Sequence, residues 1–202
     1  MYLINSYRYG GVVVDYLYDD VSAMYTLRRP FMTTLWTNAV LRLRRSSDNE
    51  QRYVFFDTNG KISLNSFVAD SNTIPTTTTL GTWVGANNAN VTRWLGITTD
   101  NIIDDNKRAS QSTNAEQPQF ISSGTIITKN GEPAIDFLSD TRYLNGPINT
   151  DLDSGNDFTV LSVANNNLTA NSVGAVWGTS ILLLAIVYNF TDPILVPNML
   201  GT

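Results

Sequence analysis

Apolar and polar residues alternate along AVLRLRR at residues 39–45, where leucines and arginines follow one another. A period of two is typical of a half-buried strand and does not fit a helix. The following SSDN has turn chemistry, and RYVFF at 52–56 supplies a returning strand. We therefore predict a β-hairpin in which Arg42 and Arg44 lie on the solvent face or rim and pair with nearby acids.

Similar short runs continue along the chain, separated by Gly, Asn and Pro. Asn130-Gly131 is a strong signal for a two-residue hairpin turn. Many short strands with frequent breaks indicate an all-β sandwich or jelly roll, not βαβ units. The further strands predicted in this way are at residues 91–95, 120–121, 124–128, 134–137, 158–164, 173–177 and 181–190.

Three segments predict other structure. Apolar residues recur at roughly helical spacing before Pro30, which predicts one short helix at residues 19–28. The threonine-rich IPTTTTLG at 74–81 is β-branched and predicts a non-helical loop. Residues 100–115 are polar and rich in turn residues, which predicts an exposed excursion.

The first fourteen residues have the character of an N-terminal arm. Tyr2, Tyr7 and Tyr9 alternate with polar residues, and Gly10-Gly11 then breaks the chain before VVV. Arms of this kind often order only against a partner. We predict a docking arm at 1–14 and one β-sandwich domain, with an apolar carboxy-terminal segment, at 15–202.

Composition excludes several kinds of chemistry. The 202 residues contain no His and no Cys, which removes disulfides, thiolate ligands and the commonest general base. The net charge of -5 argues against binding to nucleic acid, which needs a basic surface. Asp100, Asp104 and Asp105 have oxygen ligands for calcium, but a solvated acidic loop is the better interpretation. We expect no metal and no cofactor.

The carboxy-terminal part is strongly apolar. ILLLAIV at 181–187 is far shorter than the roughly 20 residues that span a bilayer, so no membrane span is expected. With PILVPNML it would leave apolar surface uncovered in a small monomer, and such surface usually marks an interface. We predict that this end contacts another subunit, through Leu182, Leu183, Leu184 and Ile186.

Several pieces of the sequence resemble a known family. They are YLINSYRYGG near the amino terminus, SAMYTLRR (22–29), AVLRLRRSSDNEQ (39–51), VTRW (91–94) and QPQFISSGTIITKNGEPAIDF (117–137). Together they resemble a concanavalin A-like module of bacteriophage virion and tail-appendage proteins, particularly from phages and prophages of Bacteroidetes. That module is distantly similar to the catalytic domain of fungal arabinofuranosidase B. WLGITTDNIIDDN stands where the family has a Gly-rich loop. From the resemblance we expect a sandwich that is either reduced or completed by partner chains.

The resemblance implies a structural role in a virion. Such a fibre or appendage subunit would be assembled in the host cytoplasm and would act through other virion proteins and through its own copies, with a trimer favoured. The arm would dock on the particle through Tyr2, Tyr7, Arg8 and Tyr9. A bacterial surface protein of prophage origin is an alternative.

Sugar recognition is a second class of function. Aromatic faces and amide side chains on β-scaffold loops suit it, so Trp83, Asn87 and Asn88 are candidates for contact with a host-surface glycan. We expect Trp83 to be exposed, and Trp94 and Trp177 to be core residues.

A dedicated carbohydrate-binding module and an arabinofuranosidase-like glycoside hydrolase remain alternatives. Hydrolysis would need two carboxylates flanking the scissile bond. We predict that the chain is not an enzyme and assign no catalytic residue, because no catalytic carboxylate of the family matches a position here. The acids near the second predicted hairpin are Glu132, Asp136, Asp140, Asp151 and Asp153.

Overall fold

The computed structural model describes residues 25–29, 38–96, 108–137 and 141–146, and the backbone of residues 174–178 and 183–186. The chain divides into two compact units, Met1–Ile148 and Asn149–Thr202. Most of the described residues belong to the first unit, which contains the larger sheet.

The first unit is mainly β, with one short α-helix among its described residues. Its largest sheet contains β1 (Leu41–Arg45), β2 (Gln51–Val54), β3 (Val68–Ala69), β4 (Ala89–Leu95), β5 (Arg108–Ser110), β6 (Gln119–Ser122) and β7 (Thr125–Ile126). The helix α1 spans Leu80–Val84, and a 3-10 turn spans Asn114–Glu116. The strand order is β3-β2-β1-β4-β6-β7, and β5 also pairs with β4. Every pairing in this sheet is antiparallel.

The first predicted hairpin is confirmed. β1 and β2 pair antiparallel, with Leu41 opposite Val54. The turn closes where the amide of Arg45 donates to the carbonyl of Glu50 at 2.9 Å, and Asn49 has a φ of 61°. Asn tolerates this left-handed conformation better than most residues, which explains its place in the turn.

The prediction that Arg44 lies on a solvent face and pairs with an acid is wrong. Arg44 is buried, and its Nε donates to Oε1 of Gln117 at 2.7 Å while its Nη1 donates to Oδ1 of Asn49 at 2.9 Å. β1 is a central strand, and the polar side that its alternation predicts is covered by neutral amides. Burial lowers the pKa of Arg44 from its ordinary value. For Arg42 the predicted pairing with an acid is wrong: it makes none of the described ion pairs, and its guanidinium lies over the ring of Tyr53, 5.1 Å from the centroid.

The predicted helix at 19–28 is wrong where the structure describes it. Residues 25–28 are not helical, and Arg28 forms an antiparallel bridge with Lys61. The hydroxyl of Thr26 donates to the carbonyl of Arg28 at 2.8 Å and accepts from its amide at 3.1 Å. A threonine side chain that bonds to nearby backbone in this way competes with helix formation. Residues 19–24 lie outside the described residues.

The short helix is instead α1, which begins inside the run predicted as a loop. The hydroxyl of Thr79 accepts from the amide of Thr82 at 3.2 Å and so caps the helix. The last threonine of the run therefore acts as an N-cap, a role that threonine commonly fills. The loop prediction is wrong for Leu80 and Gly81, which are helical.

The second predicted turn is confirmed. β8 (Thr128–Lys129) and β9 (Glu132–Pro133) pair antiparallel around Asn130 and Gly131. The φ values of Asn130 and Gly131 are 51° and 79°, and a two-residue turn of the I′ type requires such positive values.

The predicted excursion at 100–115 is wrong for β5, which pairs with the second half of β4. β6 pairs with Ala89 and Asn90 only, so the later residues of β4 have a free edge that β5 occupies. Residues 97–107, with the calcium candidates Asp100, Asp104 and Asp105, lie outside the described residues.

The core of the first unit contains two clusters of buried residues. Leu41 lies opposite Val54 and Trp94, and it belongs to the larger cluster. Tyr53 packs against the smaller cluster, which includes Phe55 and Leu95. Because successive residues of a strand point to opposite faces, the sheet carries apolar contacts on both sides. The other large, fully buried apolar side chains are Leu43, Ile62, Leu80, Phe120, Ile121, Val40 and Val68.

The second unit contains a two-stranded antiparallel sheet among its described residues. Its strands are β10 (Gly174–Gly178) and β11 (Leu183–Ile186). β11 falls inside the strand predicted at 181–190, and β10 overlaps the strand predicted at 173–177 but ends one residue later. The strand predicted at 158–164 lies outside the described residues. In the described parts of the chain, helices are too short to cross a membrane.

Candidate functional site

A dense group of interacting side chains lies where the β1–β2 turn meets α1. We call this group the charged cluster. The tight turn at Asn49 returns the chain so that two acids lie beside an arginine that precedes them. The members of the charged cluster are Arg45, Asp48, Glu50, Arg52 and Trp83.

Arg45 holds both acids of the turn. Its Nη2 lies 2.5 Å from Oδ2 of Asp48 and 2.5 Å from Oε2 of Glu50, and its Nε donates to Oδ1 of Asp48 at 3.1 Å. The other oxygen of Glu50 accepts from Nε of Arg52 at 2.9 Å. Arg52 also pairs with Asp70, beside β3. Two guanidinium groups therefore neutralise the acids of the turn.

Trp83 connects this turn to the helix. Its indole Nε1 donates to Oε2 of Glu50 at 3.0 Å, and the Arg45 guanidinium lies 5.2 Å from its ring centroid. Arg45 also donates to the backbone carbonyl of Trp83. The prediction that Trp83 is exposed is wrong, since only 6% of it is accessible. The indole is covered because α1 lays its apolar side against the sheet.

The acids and arginines of the charged cluster stay ionised at neutral pH. Hydrogen bonds from Arg52 and then Trp83 lower the pKa of Glu50, and a hydrogen bond from Arg45 lowers that of Asp48. The same contacts raise the pKa of both arginines. A glycosidase of the usual kind needs one carboxyl that stays protonated as a general acid. The pKa values of Asp48 and Glu50 are both lowered, which is the opposite direction. The contacts of the charged cluster therefore serve to join the β1–β2 turn to α1.

Asn87 and Asn88 lie beside the cluster, on the loop that joins α1 to β4. Nδ2 of Asn87 donates to the carbonyl of Val84 at 2.9 Å, and Oδ1 of Asn88 accepts from the amide of Ser123 at 2.7 Å. The structure therefore brings the three predicted glycan residues to one end of the sheet. Both amides take part in holding the loop, and their contact with a glycan stays a prediction.

A close backbone approach fixes this loop against the β6–β7 turn. The amide of Gly124 donates to the carbonyl of Asn87 at 3.0 Å. A Cβ atom at Gly124 would lie 2.4 Å from the carbonyl oxygen of Gly85, and Gly124 has a φ of 77°. Only glycine meets both requirements without strain.

The remaining candidates belong to the predicted arm and the predicted interface. Tyr2, Tyr7, Arg8, Tyr9 and Leu182 lie outside the described residues, whereas Leu183, Leu184 and Ile186 are in β11. Their roles stay predictions.

The acids considered for hydrolysis are not gathered into a described site. Glu132 is in β9, where its carboxylate lies 3.0 Å from Nζ of Lys61 and 3.8 Å from Nη1 of Arg28. Asp136 forms a backbone bridge with Gln119. Asp140, Asp151 and Asp153 lie outside the described residues. Within the described ranges, no three Asp, Glu, His or Cys side chains are grouped so that they could hold a metal ion.

Sequence reasoning missed Arg45 and Glu50 as the centre of the cluster. Their signal was present, because an arginine and a glutamate flank the SSDN turn and a turn brings its flanks together. The contact with Trp83, 33 residues further on, has no local signal.

No protein-family model matches this chain, and neither a curated protein nor a solved structure shows significant similarity to it. The phage-family resemblance of the sequence pieces therefore stays a prediction.

Proposed function

We propose that this chain is a structural subunit of a phage virion, a fibre or appendage protein that acts by assembling with other protein chains. The resemblance of residues 22–29, 39–51, 91–94 and 117–137 to virion proteins supports the phage context. In this proposal the sheet of the first unit belongs to a concanavalin A-like sandwich. The subunit forms a homo-oligomer, with a trimer favoured, and resides in the virion.

One observation carries the assembly part of the proposal. β11 (Leu183–Ile186) contains only apolar residues and lies within the apolar run at 181–187. Strands of continuous apolar sequence are typical of positions that are covered on both faces. The described residues of the second unit form a two-stranded ribbon, and a ribbon of this kind is only marginally stable without a further layer. Another copy of the chain would supply that layer.

The charged cluster also fits a structural role. Its two acids are ionised and held by arginines, and Trp83 is buried against them. The amides of Asn87 and Asn88 are used within the protein. These contacts favour an assembly protein over a carbohydrate-binding module, and they favour it over a hydrolase at this cluster.

The mass of the full chain in solution tests the proposal. Size-exclusion chromatography with light scattering should give a multiple of the 22.3 kDa chain mass, with three copies favoured. Leu184→Asp should shift the protein toward the monomer. Leu64→Asp is the matched control, since Leu64 is 38% exposed in the first unit and should leave the mass unchanged.

Circular dichroism of each variant checks that the β structure is retained. If Leu184→Asp does not fold, the mass of the wild-type chain still decides. A wild-type chain that is monomeric over the whole concentration range overturns the proposal.

A further inference from the structure

Two arginines lie side by side in the middle of the main sheet. Arg42 of β1 is directly opposite Tyr53 of β2 on one side and Arg93 of β4 on the other. Residues directly opposite in antiparallel strands share a face, so the three side chains form a row across three strands. Leu41, the preceding residue, points to the other face, where the larger core cluster lies. We call Tyr53, Arg42 and Arg93 the arginine row.

The side chains of the row contact one another. The guanidinium carbon of Arg42 is 5.1 Å from the centroid of the Tyr53 ring, and Nη1 of Arg93 donates to the Tyr53 hydroxyl at 3.2 Å. A tyrosine hydroxyl that accepts a hydrogen bond still has its own proton to donate. All three residues are half-buried, so part of the row faces solvent.

Arg42 lacks a counter-charge in the described residues. None of the ion pairs that the structure describes includes Arg42. Nε of Arg42 is buried and has no hydrogen-bond partner. A buried donor without an acceptor is destabilising. An anion placed at Arg42 would remove this cost and supply the missing counter-charge.

We propose that the arginine row is a binding site for a carboxylate group carried by a small molecule, such as a uronic-acid sugar. A guanidinium presents its donors as a planar fork, which matches the two oxygens of a carboxylate. Arg42 supplies this fork, the Tyr53 hydroxyl donates a further hydrogen bond, and Arg93 orients that hydroxyl. The site is independent of the apolar strand on which assembly rests, so either proposal can fail without the other.

Ligand binding to the full chain tests the site. Thermal unfolding is followed in sodium glucuronate, sodium acetate and sodium chloride at equal ionic strength, and in glucose. A ligand that binds only the folded state raises the Tm, so glucuronate should raise it above the value in chloride, while glucose should not. Acetate separates recognition of the carboxylate alone from recognition of the sugar that carries it.

Variants assign the effect to the row. Arg42→Gln should weaken glucuronate binding in titration calorimetry about tenfold, the loss expected for one charge-assisted hydrogen bond. Arg42→Lys keeps the positive charge but lacks the planar fork of donors. Its affinity for glucuronate should lie between those of the wild type and Arg42→Gln. Arg28→Gln is the matched control, because Arg28 pairs with Glu132 away from the row, and it should bind as the wild type does.

Equal Tm values in glucuronate, acetate and chloride overturn the proposal, and so does wild-type affinity in Arg42→Gln. If Arg42→Gln does not fold, Tyr53→Phe decides. It keeps the ring under Arg42 and removes the hydroxyl, so the proposal requires weaker binding in that variant.

Discussion

The indole Nε1 of Trp83 donates to Oε2 of Glu50 at 3.0 Å, and this bond joins α1 to the β1–β2 turn. The same carboxylate accepts from Arg45 and Arg52. Glu50 is therefore the common acceptor for three donors that come from β1, β2 and α1. Hydrogen bonds to charged groups are stronger than those between neutral groups, and a helix this short is marginal by itself. We therefore expect the bonds to Glu50 to hold α1 in place more than the helix's own hydrogen bonds do.

Trp83→Phe should lower the free energy of unfolding by about 1.5–2 kcal/mol, the lower part of the range for a hydrogen bond to a charged group. The phenyl ring keeps most of the apolar contact but loses the donor to Glu50. Part of this carboxylate is open to solvent, which limits the loss. Urea unfolding followed by circular dichroism measures the change.

Trp94→Phe is the matched control for that substitution. Nε1 of Trp94 donates to the neutral carbonyl of Thr26 at 3.4 Å, a longer contact without a charge. Trp94→Phe should therefore lower the free energy of unfolding less than Trp83→Phe does. Equal losses in the two variants would show that the bond to Glu50 adds nothing beyond the packing of the ring.

Gly124→Ala should destabilise the protein more than Gly131→Ala does. Both residues have positive φ, 77° and 79°, so each alanine carries the same backbone strain of about 1–2 kcal/mol. A Cβ at Gly124 would also meet the carbonyl oxygen of Gly85 at 2.4 Å, whereas no atom lies within 4 Å of one at Gly131. Crowding of this kind adds about 1–3 kcal/mol.

The difference between the two urea midpoints isolates the steric part, because the conformational part is common to both variants. Similar midpoints would mean that the loop at Asn87 moves away from the β6–β7 turn at little cost. In that case the backbone bond from Gly124 to the Asn87 carbonyl would not hold the loop.

Local signals were sufficient for the hairpins. The alternation at 39–45 predicted β1, and Asn130-Gly131 predicted the turn between β8 and β9. Both signals act over a few residues, and the mainly β character follows from many such segments. The short α1 was missed because it depends on one capping threonine within a run that otherwise disfavours helix.

Long-range contacts were beyond local patterns. Arg44 looks like a solvent-facing residue until Gln117, 73 residues later, supplies an acceptor for its buried guanidinium. The position of Trp83 depends in the same way on Glu50, 33 residues before it. Period-2 alternation separates the two faces of a strand, but it does not say whether the polar face meets water or another layer of protein.

Stability should fall as the pH drops below the ordinary carboxyl values, and Glu50→Gln should weaken that fall. The pKa values of Glu50 and Asp48 lie below their ordinary values of 4.5 and 3.8, mainly through hydrogen bonds from Arg52 and Arg45. The unfolded chain therefore takes up protons first as the pH falls. The stabilisation is complete above the ordinary values and is lost as the pH falls through the lower values of the folded state.

Urea midpoints measured from about pH 7 to about pH 3 should decline less steeply in Glu50→Gln than in the wild type. Gln51→Asn, at the next position, removes no carboxyl and should keep the wild-type slope. Added salt should flatten the wild-type curve, because it screens the exposed part of the charged cluster. Parallel curves for Glu50→Gln and the wild type would mean that the carboxylate of Glu50 contributes nothing to the acid sensitivity of the protein.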